Sequence, residues 1–145
     1  MSRYANRKLA GERAECAFVW QAMEHGLIVS KPYGDSAAYD FIVQRRVPMR
    51  SRASSLRRSL LRVQVKSVWC QDAQSRYTVN TRRSLSRSYR RGELDFFACW
   101  IVPLDLWYII PASLVGASKC AHLYAHVPRS RGQYERYREA WRLLR

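Results

Sequence analysis

Residues 62–66, RVQVK, constrain the fold more than any other short stretch of this chain. In a β-strand successive side chains point to opposite faces, so Val63 and Val65 share one face while Gln64 and Lys66 share the other. The valines anchor a sheet against a core. The amide and the ammonium then stand together on the other face, in the middle of the best strand of the sequence.

The neighbouring segments supply the rest of a domain. Residues 8–25, KLAGERAECAFVWQAMEH, place Leu9, Cys16 with Ala17, Trp20 and Met23 at helical spacing before Gly26, which predicts a first helix with those residues as its apolar face. In LIVSKPYGDSAAYDFIVQ (27–44) a short apolar strand meets the turn formers Pro32, Gly34 and Asp35, and a second strand runs from about Tyr39 to Gln44. That strand is expected to pair with RVQVK as a hairpin. Further strands are expected at RYTVNTRR (76–83), within ELDFFACWIVP (93–103) and within LWYIIPAS (106–113). Tyr134, Tyr137, Trp141 and Leu144, at intervals of three and four, predict a C-terminal amphipathic helix. The order is helix, four to six strands, helix: an α/β fold with a mixed central β-sheet flanked by helices.

At 145 residues the chain suffices for one domain and one core, so residues 1–145 are expected to form a single domain with a basic loop insertion at about 45–59. Its 26 Lys and Arg against 11 Asp and Glu give a formal charge of +15, with 48% of residues hydrophobic. A folded domain so charged calls for an anionic partner, and nucleic acid fits better than a membrane surface. No run approaches the roughly 18 apolar residues of a membrane span, and the N-terminus lacks the apolar core of a signal peptide, so a soluble cytoplasmic protein is expected. Cys16, Cys70, Cys99 and Cys120 are scattered without a C-x-x-C pair, which predicts reduced, mostly buried thiols.

Phosphodiester hydrolysis needs a hard divalent cation held by oxygen ligands, an activated water and positive charge near phosphorus. If YDFIV and RVQVK pair, Asp40 lies near Gln64 and Lys66, and the first helix carries Glu12 and Glu15. The ordered set GERAE (11–15), YDF (39–41) and QVK (64–66) resembles the PD-(D/E)XK nucleases, whose pattern is a helix acid, a strand Asp and a (D/E)-x-K tripeptide. KPYGDSAAYDF, RVQVKS, YTVNTRRS, LDFFACWIVP and WYIIPAS extend the resemblance over most of the chain, towards the homing-endonuclease-like branch and its Holliday junction resolvase relatives.

The resemblance implies a restriction-endonuclease-like core and a Mg²⁺-dependent endonuclease acting on double-stranded DNA, with Mn²⁺ able to substitute. It implies metal ligation by Asp40, Gln64 and Glu15, with Lys66 completing the catalytic set, and Glu15 fits the helix acid better than Glu12. Gln64 departs from the family's Asp or Glu, contributing a carbonyl oxygen but no charge. Opposite charges near Lys66 are expected to keep it protonated. Each residue also has a plainer reading: Asp40 as a turn-bonding strand starter, Lys66 as an edge-strand guard, Glu12 and Glu15 as first-turn acids matched to the helix dipole.

Two arginine clusters, around Arg45, Arg46, Arg57 and Arg58 and around Arg82, Arg83, Arg90 and Arg91, are expected to meet DNA phosphates, with Asn80 and Thr81 as candidates for base or backbone contacts. Asp95 is expected to serve structurally, and zinc at His122 and His126 is disfavoured because HLYAHVP lacks a helical pattern. Cutting both strands with one site per chain calls for a homo-oligomer, a dimer or a tetramer. A junction resolvase and a catalytically weak DNA-binding module of the same fold are the rival readings.

Overall fold

The computed structural model describes residues 3–45, 60–84, 86–116, 118–126 and 132–145. Arg46, Arg57, Arg58 and the rest of the basic connection 46–59 lie outside the described residues.

Helix α1 spans Arg3–Glu24 and is followed by strands β1 (Ile28–Ser30), β2 (Phe41–Gln44) and β3 (Leu60–Val68). Next come β4 (Tyr77–Asn80), β5 (Phe96–Ile101), β6 (Leu106–Pro111), the single turn of helix α2 (Ala112–Val115) and β7 (Cys120–Leu123). Five strands form one sheet in the order β1-β2-β3-β5-β6, and β4 pairs with β7 in a separate two-stranded ribbon. The β3–β5 pair is parallel and the other pairs are antiparallel, so the central sheet is mixed, as the sequence predicts. The described residues hold seven strands, one more than the upper expectation, because β7 carries no apolar run.

Residues paired across strands share a face. Phe41 pairs with Val63, Val65 with Ala98, and Trp100 with Trp107, so these belong to one face of the sheet. Helix α1 covers it. Phe18 stacks on Phe41 at 5.4 Å between ring centroids and on Trp141 at 5.8 Å, and Trp100 lies flat against Trp107 at 5.5 Å. Each such buried aromatic stabilises the fold by about 1.5–3 kcal/mol relative to exposure.

The buried edge of α1 is Ala14, Phe18 and Ala22, and this corrects the expected apolar face. Leu9, Trp20 and Met23 are 51%, 65% and 63% exposed, and Cys16 is exposed as well. Two alanines one turn either side of Phe18 let the helix backbone approach the sheet, so the smaller residues, not the larger, face inward. The helix also starts earlier than expected, which leaves no acid in its first turn and removes the dipole account of Glu12 and Glu15.

The C-terminal segment is not an α-helix. It forms 3-10 turns at Glu135–Tyr137 and Trp141–Leu144, separated by Glu139 at φ 50°. Tertiary hydrogen bonding to the sheet edge outcompetes the helix: Glu139 N–H donates to the Trp107 carbonyl at 2.8 Å, Trp107 N–H donates to Glu139 Oε1 at 2.6 Å, and Arg138 bridges to Tyr108. Trp107 and Tyr108 point to opposite faces, so this strap wraps the β6 edge, with Trp141 beside Trp107 and Glu135 bonded to Tyr108. Tyr134, Tyr137, Trp141 and Leu144 are nonetheless all buried. Of the four thiols only Cys99 is buried, against the expectation of mostly buried cysteines.

Candidate active site

Asp40 immediately precedes β2. Its N–H donates to the Val63 carbonyl at 3.0 Å, which continues the β2–β3 ladder and sets Asp40 opposite Gln64 on the face away from α1. Asp40 Oδ2 accepts from Gln64 Nε2 at 2.6 Å and from the Val65 N–H at 2.8 Å. Both of these bonds go to Oδ2, and among the described residues no hydrogen bond is made to the second carboxylate oxygen, Oδ1. Gln64 Nε2 also lies 3.5 Å from the Val65 carbonyl oxygen, so one polar hydrogen-bearing group sits between two acceptor oxygens. A cation can satisfy the same two oxygens.

Burial raises the Asp40 pKa above the usual carboxylate range, opposed by the Val65 N–H and reinforced by the nearby negative charge of Glu15. Lys66, on the same face of β3, is shifted down by burial, with Asp40 and Cys99 only partly offsetting it. The opposite charges act in the expected sense, but the loss of water around the amine outweighs their attraction in setting the direction of the shift. Both groups are therefore displaced towards their neutral forms, and a divalent cation beside Asp40 would reverse the balance there.

Glu15 is at the rim of the site and not across from Lys66, since α1 covers the valine face. Its carboxylate is paired with Lys31, and that partner raises the Lys31 pKa. Glu12 is exposed and pairs with Lys8 at 3.9 Å along the helix. The oxygen donors at the centre are thus Asp40, the Gln64 amide and the Val65 carbonyl, with Glu15 available if it leaves Lys31. Among the described residues no group of three or more His, Cys, Asp or Glu is placed to hold a metal ion, and position 64 carries an amide rather than a carboxylate. The hard, oxygen-only donor set fits Mg²⁺ or a similar ion and does not fit zinc.

Lys66 opens into a cleft of about 290 Å³ whose lining includes Ser67, Asn80, Arg82 and Arg83. Arg83 donates to Glu93 Oε1 at 3.1 Å and to the Ser36 carbonyl at 3.2 Å, and Arg87 joins the same carboxylate at 2.5 Å. Arg90 and Arg91 are exposed and line a neighbouring cavity of about 570 Å³. Two sequence candidates are occupied structurally: Arg45 donates to the Leu143 carbonyl at 2.6 Å, and Thr81 is 2% exposed with its hydroxyl donating to Ser118 O at 2.9 Å. Thr81 therefore presents no group to a ligand. Asp95 receives the Arg62 backbone N–H and guanidinium, a structural clamp as expected.

Tyr89 was not singled out by the sequence. Its ring meets Phe97 edge-on at 5.4 Å, and its hydroxyl is pushed up to about 12 by burial and by Asp40, which puts it in the electrostatic neighbourhood of the site. No spacing or motif distinguishes it among the tyrosines.

The model of a family described as PD-(D/E)XK endonuclease matches residues 5–144. The chain belongs to that family. A solved structure of a bacterial homing endonuclease, I-Ssp6803I, is similar with a TM-score of 0.71 and 29% identity, covering 94% of this chain and 90% of that one. No curated protein matches. Membership in this endonuclease family brings nuclease chemistry on DNA and general use of divalent metal ions, and the mixed sheet with its helices is the family's fold. No helix of the described residues is long and apolar enough to cross a membrane.

Proposed function

We propose that this protein is a Mg²⁺-dependent endodeoxyribonuclease, homing-endonuclease-like, that hydrolyses phosphodiester bonds in double-stranded DNA, with Mn²⁺ able to replace Mg²⁺. The observation that carries the reading is Asp40 Oδ2 held by the Val65 N–H and the Gln64 amide, one step along the strand from Lys66 at the mouth of an arginine-lined cleft. Asp40, the Gln64 carbonyl and the Val65 carbonyl would hold the metal, with Glu15 joining from the rim. The bound cation supplies Lewis-acid polarisation of the phosphate and a more acidic water.

The chain's own groups do the rest. The two donors to Asp40 fix its carboxylate without a metal, so the site is preorganised. Lys66, when protonated, offsets charge growing at phosphorus, and its burial, which lowers its pKa, favours a share in taking a proton from the attacking water. Arg82, Arg83, Arg90 and Arg91 neutralise flanking phosphates, with Arg46, Arg57 and Arg58 from the other cluster. The exposed apolar row Leu9, Trp20 and Met23 on α1 supports self-association to a dimer or tetramer, which brings two sites to one duplex.

Gln64 and the Lys31-paired Glu15 favour one rival, a catalytically weak DNA-binding module. Incubation with plasmid, linear duplex and four-way junction DNA in Mg²⁺, Mn²⁺ or EDTA separates the readings. Metal-dependent duplex cutting is expected. Binding without cutting under every metal condition, or cutting confined to junctions, would replace it with the module or a resolvase.

A further inference from the structure

The β4–β7 ribbon buries Tyr77, Val79, Ala121 and Leu123 on its inner face, and its register pairs Thr78 with His122 and Asn80 with Cys120 on the outer one. The outer face is not needed by the core, yet its polar groups are fixed. Asp72 accepts from Arg76 Nε at 2.6 Å, from the backbone N–H groups of Gln74 and Arg76, and from the Thr78 hydroxyl at 2.8 Å. Thr78 has one hydroxyl hydrogen and gives it to Asp72, so its 3.0 Å contact with His122 Nδ1 requires that nitrogen to carry the proton. In the neutral ring this leaves Nε2 as the unprotonated nitrogen, and His122 lines a cavity.

Asn80 is fixed in the complementary sense. Its Oδ1 accepts the Arg82 N–H at 2.9 Å, which turns the Nδ2 amide outward as a donor. Asn80 lies diagonally across the ribbon from His122. It also lines the cleft of Lys66 and Arg83, while His122 lines an adjoining cavity of about 590 Å³ together with Lys119 and Tyr124. The two openings meet at the Asn80–Cys120 pair, with Lys66 and Arg83 lining the first and Lys119 the second.

We infer that the outer face of the β4–β7 ribbon enters a groove of the duplex and reads base edges, with Asn80 Nδ2 as donor, His122 Nε2 as acceptor and Lys119 on a flanking phosphate. Adjacent donor and acceptor positions are what distinguish one base pair from another in the major groove, whose width admits a two-stranded ribbon. Thr78 and Asp72 are positioning residues, acting through His122. This rests on the endonuclease reading for the duplex beside Lys66.

The test is selection of bound sequences from a randomised duplex pool in EDTA, where no cutting occurs, with cleavage of the winners in Mg²⁺ measured separately. Wild type is expected to enrich a motif, and His122→Ala and Thr78→Val to lose preference at the same one or two base pairs, by about 5- to 150-fold each. Thr78→Ser, which keeps the hydroxyl, should retain the motif, and Lys119→Ala should weaken binding evenly across sequences. Wild-type binding without a motif, or preferences untouched in both His122→Ala and Thr78→Val, overturns the inference while leaving the endonuclease reading intact. Selective binding with no cutting in Mg²⁺ or Mn²⁺ overturns the endonuclease reading and leaves the ribbon's role standing.

Discussion

Gln64 Nε2 donates to Asp40 Oδ2 at 2.6 Å, so the residue that removes a charge from the site also stabilises the charge that remains. A carboxylate at position 64 would face Asp40 with no proton between them. In EDTA, Gln64→Glu is expected to lower stability by about 1.5–3 kcal/mol, the worth of a hydrogen bond to a charged group, with repulsion added. Added Mg²⁺ should then raise the melting temperature of the variant more than that of wild type, because a more anionic site binds the ion more tightly. Thermal melts with and without Mg²⁺ check this. Equal metal-induced shifts in the two proteins would place Gln64 outside the metal site.

Lys66 bears the cost of being desolvated, as its lowered pKa records. Replacing it with methionine keeps the stem and removes the amine, so Lys66→Met is expected to melt higher, by about 1 kcal/mol of stability. Cleavage should fall by about 100- to 1,000-fold, the usual loss for one transition-state donor, with DNA affinity changed only a few-fold. Asp40→Ala should match that loss of cutting. Melting curves, gel shifts and single-turnover cleavage on one preparation report all three quantities.

Glu15 and Lys31 form an ion pair at the rim, with the lysine side chain 60% exposed. Such exposed pairs contribute about 0.2–1 kcal/mol, so Lys31→Ala should leave the melting temperature almost unmoved. Freeing Glu15 should lower the Mg²⁺ concentration needed for half-maximal cleavage. Glu15→Gln should raise it, by less than Asp40→Ala does. A metal titration of cleavage rate measures both, and an unchanged requirement in the two variants would remove Glu15 from the site.

Alternation in RVQVK told which residues share a face, and pairing with YDFIV put Asp40 against Gln64, because period-two geometry and a ladder leave no freedom. The side covered by α1 was not legible. Hydrophobicity favoured Leu9, Trp20 and Met23, whereas close approach of the backbone selected Ala14 and Ala22 beside Phe18. The C-terminal pattern found the buried residues but not their conformation, since Glu139 bonds to the edge strand rather than to its own helix. The Glu15–Lys31 pair and the locked His122 depend on contacts between residues 16 and 44 positions apart, which no local pattern encodes, and Tyr89 is placed by packing against Phe97 rather than by a motif. Lys66's depressed pKa was missed for a related reason: counting nearby charges omits the water that burial removes.

Glu93 holds three parts of the second basic connection, accepting from Arg83, Arg87 and the Arg90 N–H. The Arg90 N–H and the arginine charges depress its pKa below the ordinary glutamate value. For a carboxylate shifted down, the stabilising effect is present above the unfolded value and is lost as pH falls through the folded one. Hydrogen exchange in residues 86–93 should therefore quicken on going from neutral pH to below about pH 4, after correction for intrinsic rates, and Glu93→Gln should show fast exchange at both. Because the clamp orders arginines beside the cleft, Glu93→Gln should also weaken duplex binding.

Glu135 is 1% exposed and anchors the C-terminal strap from inside: Tyr108 Oη donates to it at 2.9 Å, Arg138 Nη2 at 2.5 Å and the Tyr124 N–H at 3.3 Å. Glu135→Ala would leave the mostly buried Arg138 guanidinium without its carboxylate, which costs about 3–5 kcal/mol. Glu135→Gln keeps one acceptor oxygen and should cost less. The strap also carries Trp141 against Trp107 and Phe18, so detachment should be visible as a shift of tryptophan emission to longer wavelength and as faster trypsin cleavage at Arg136 and Arg138. Because Lys66 on β3 and Asp40 just before β2 are not on or next to β6, the alanine variant should lose stability at a temperature where the cleavage rate of its folded fraction is still that of wild type. Chemical denaturation paired with cleavage at low temperature separates the two effects, and wild-type stability in Glu135→Ala would show that the buried carboxylate is not what fastens the strap.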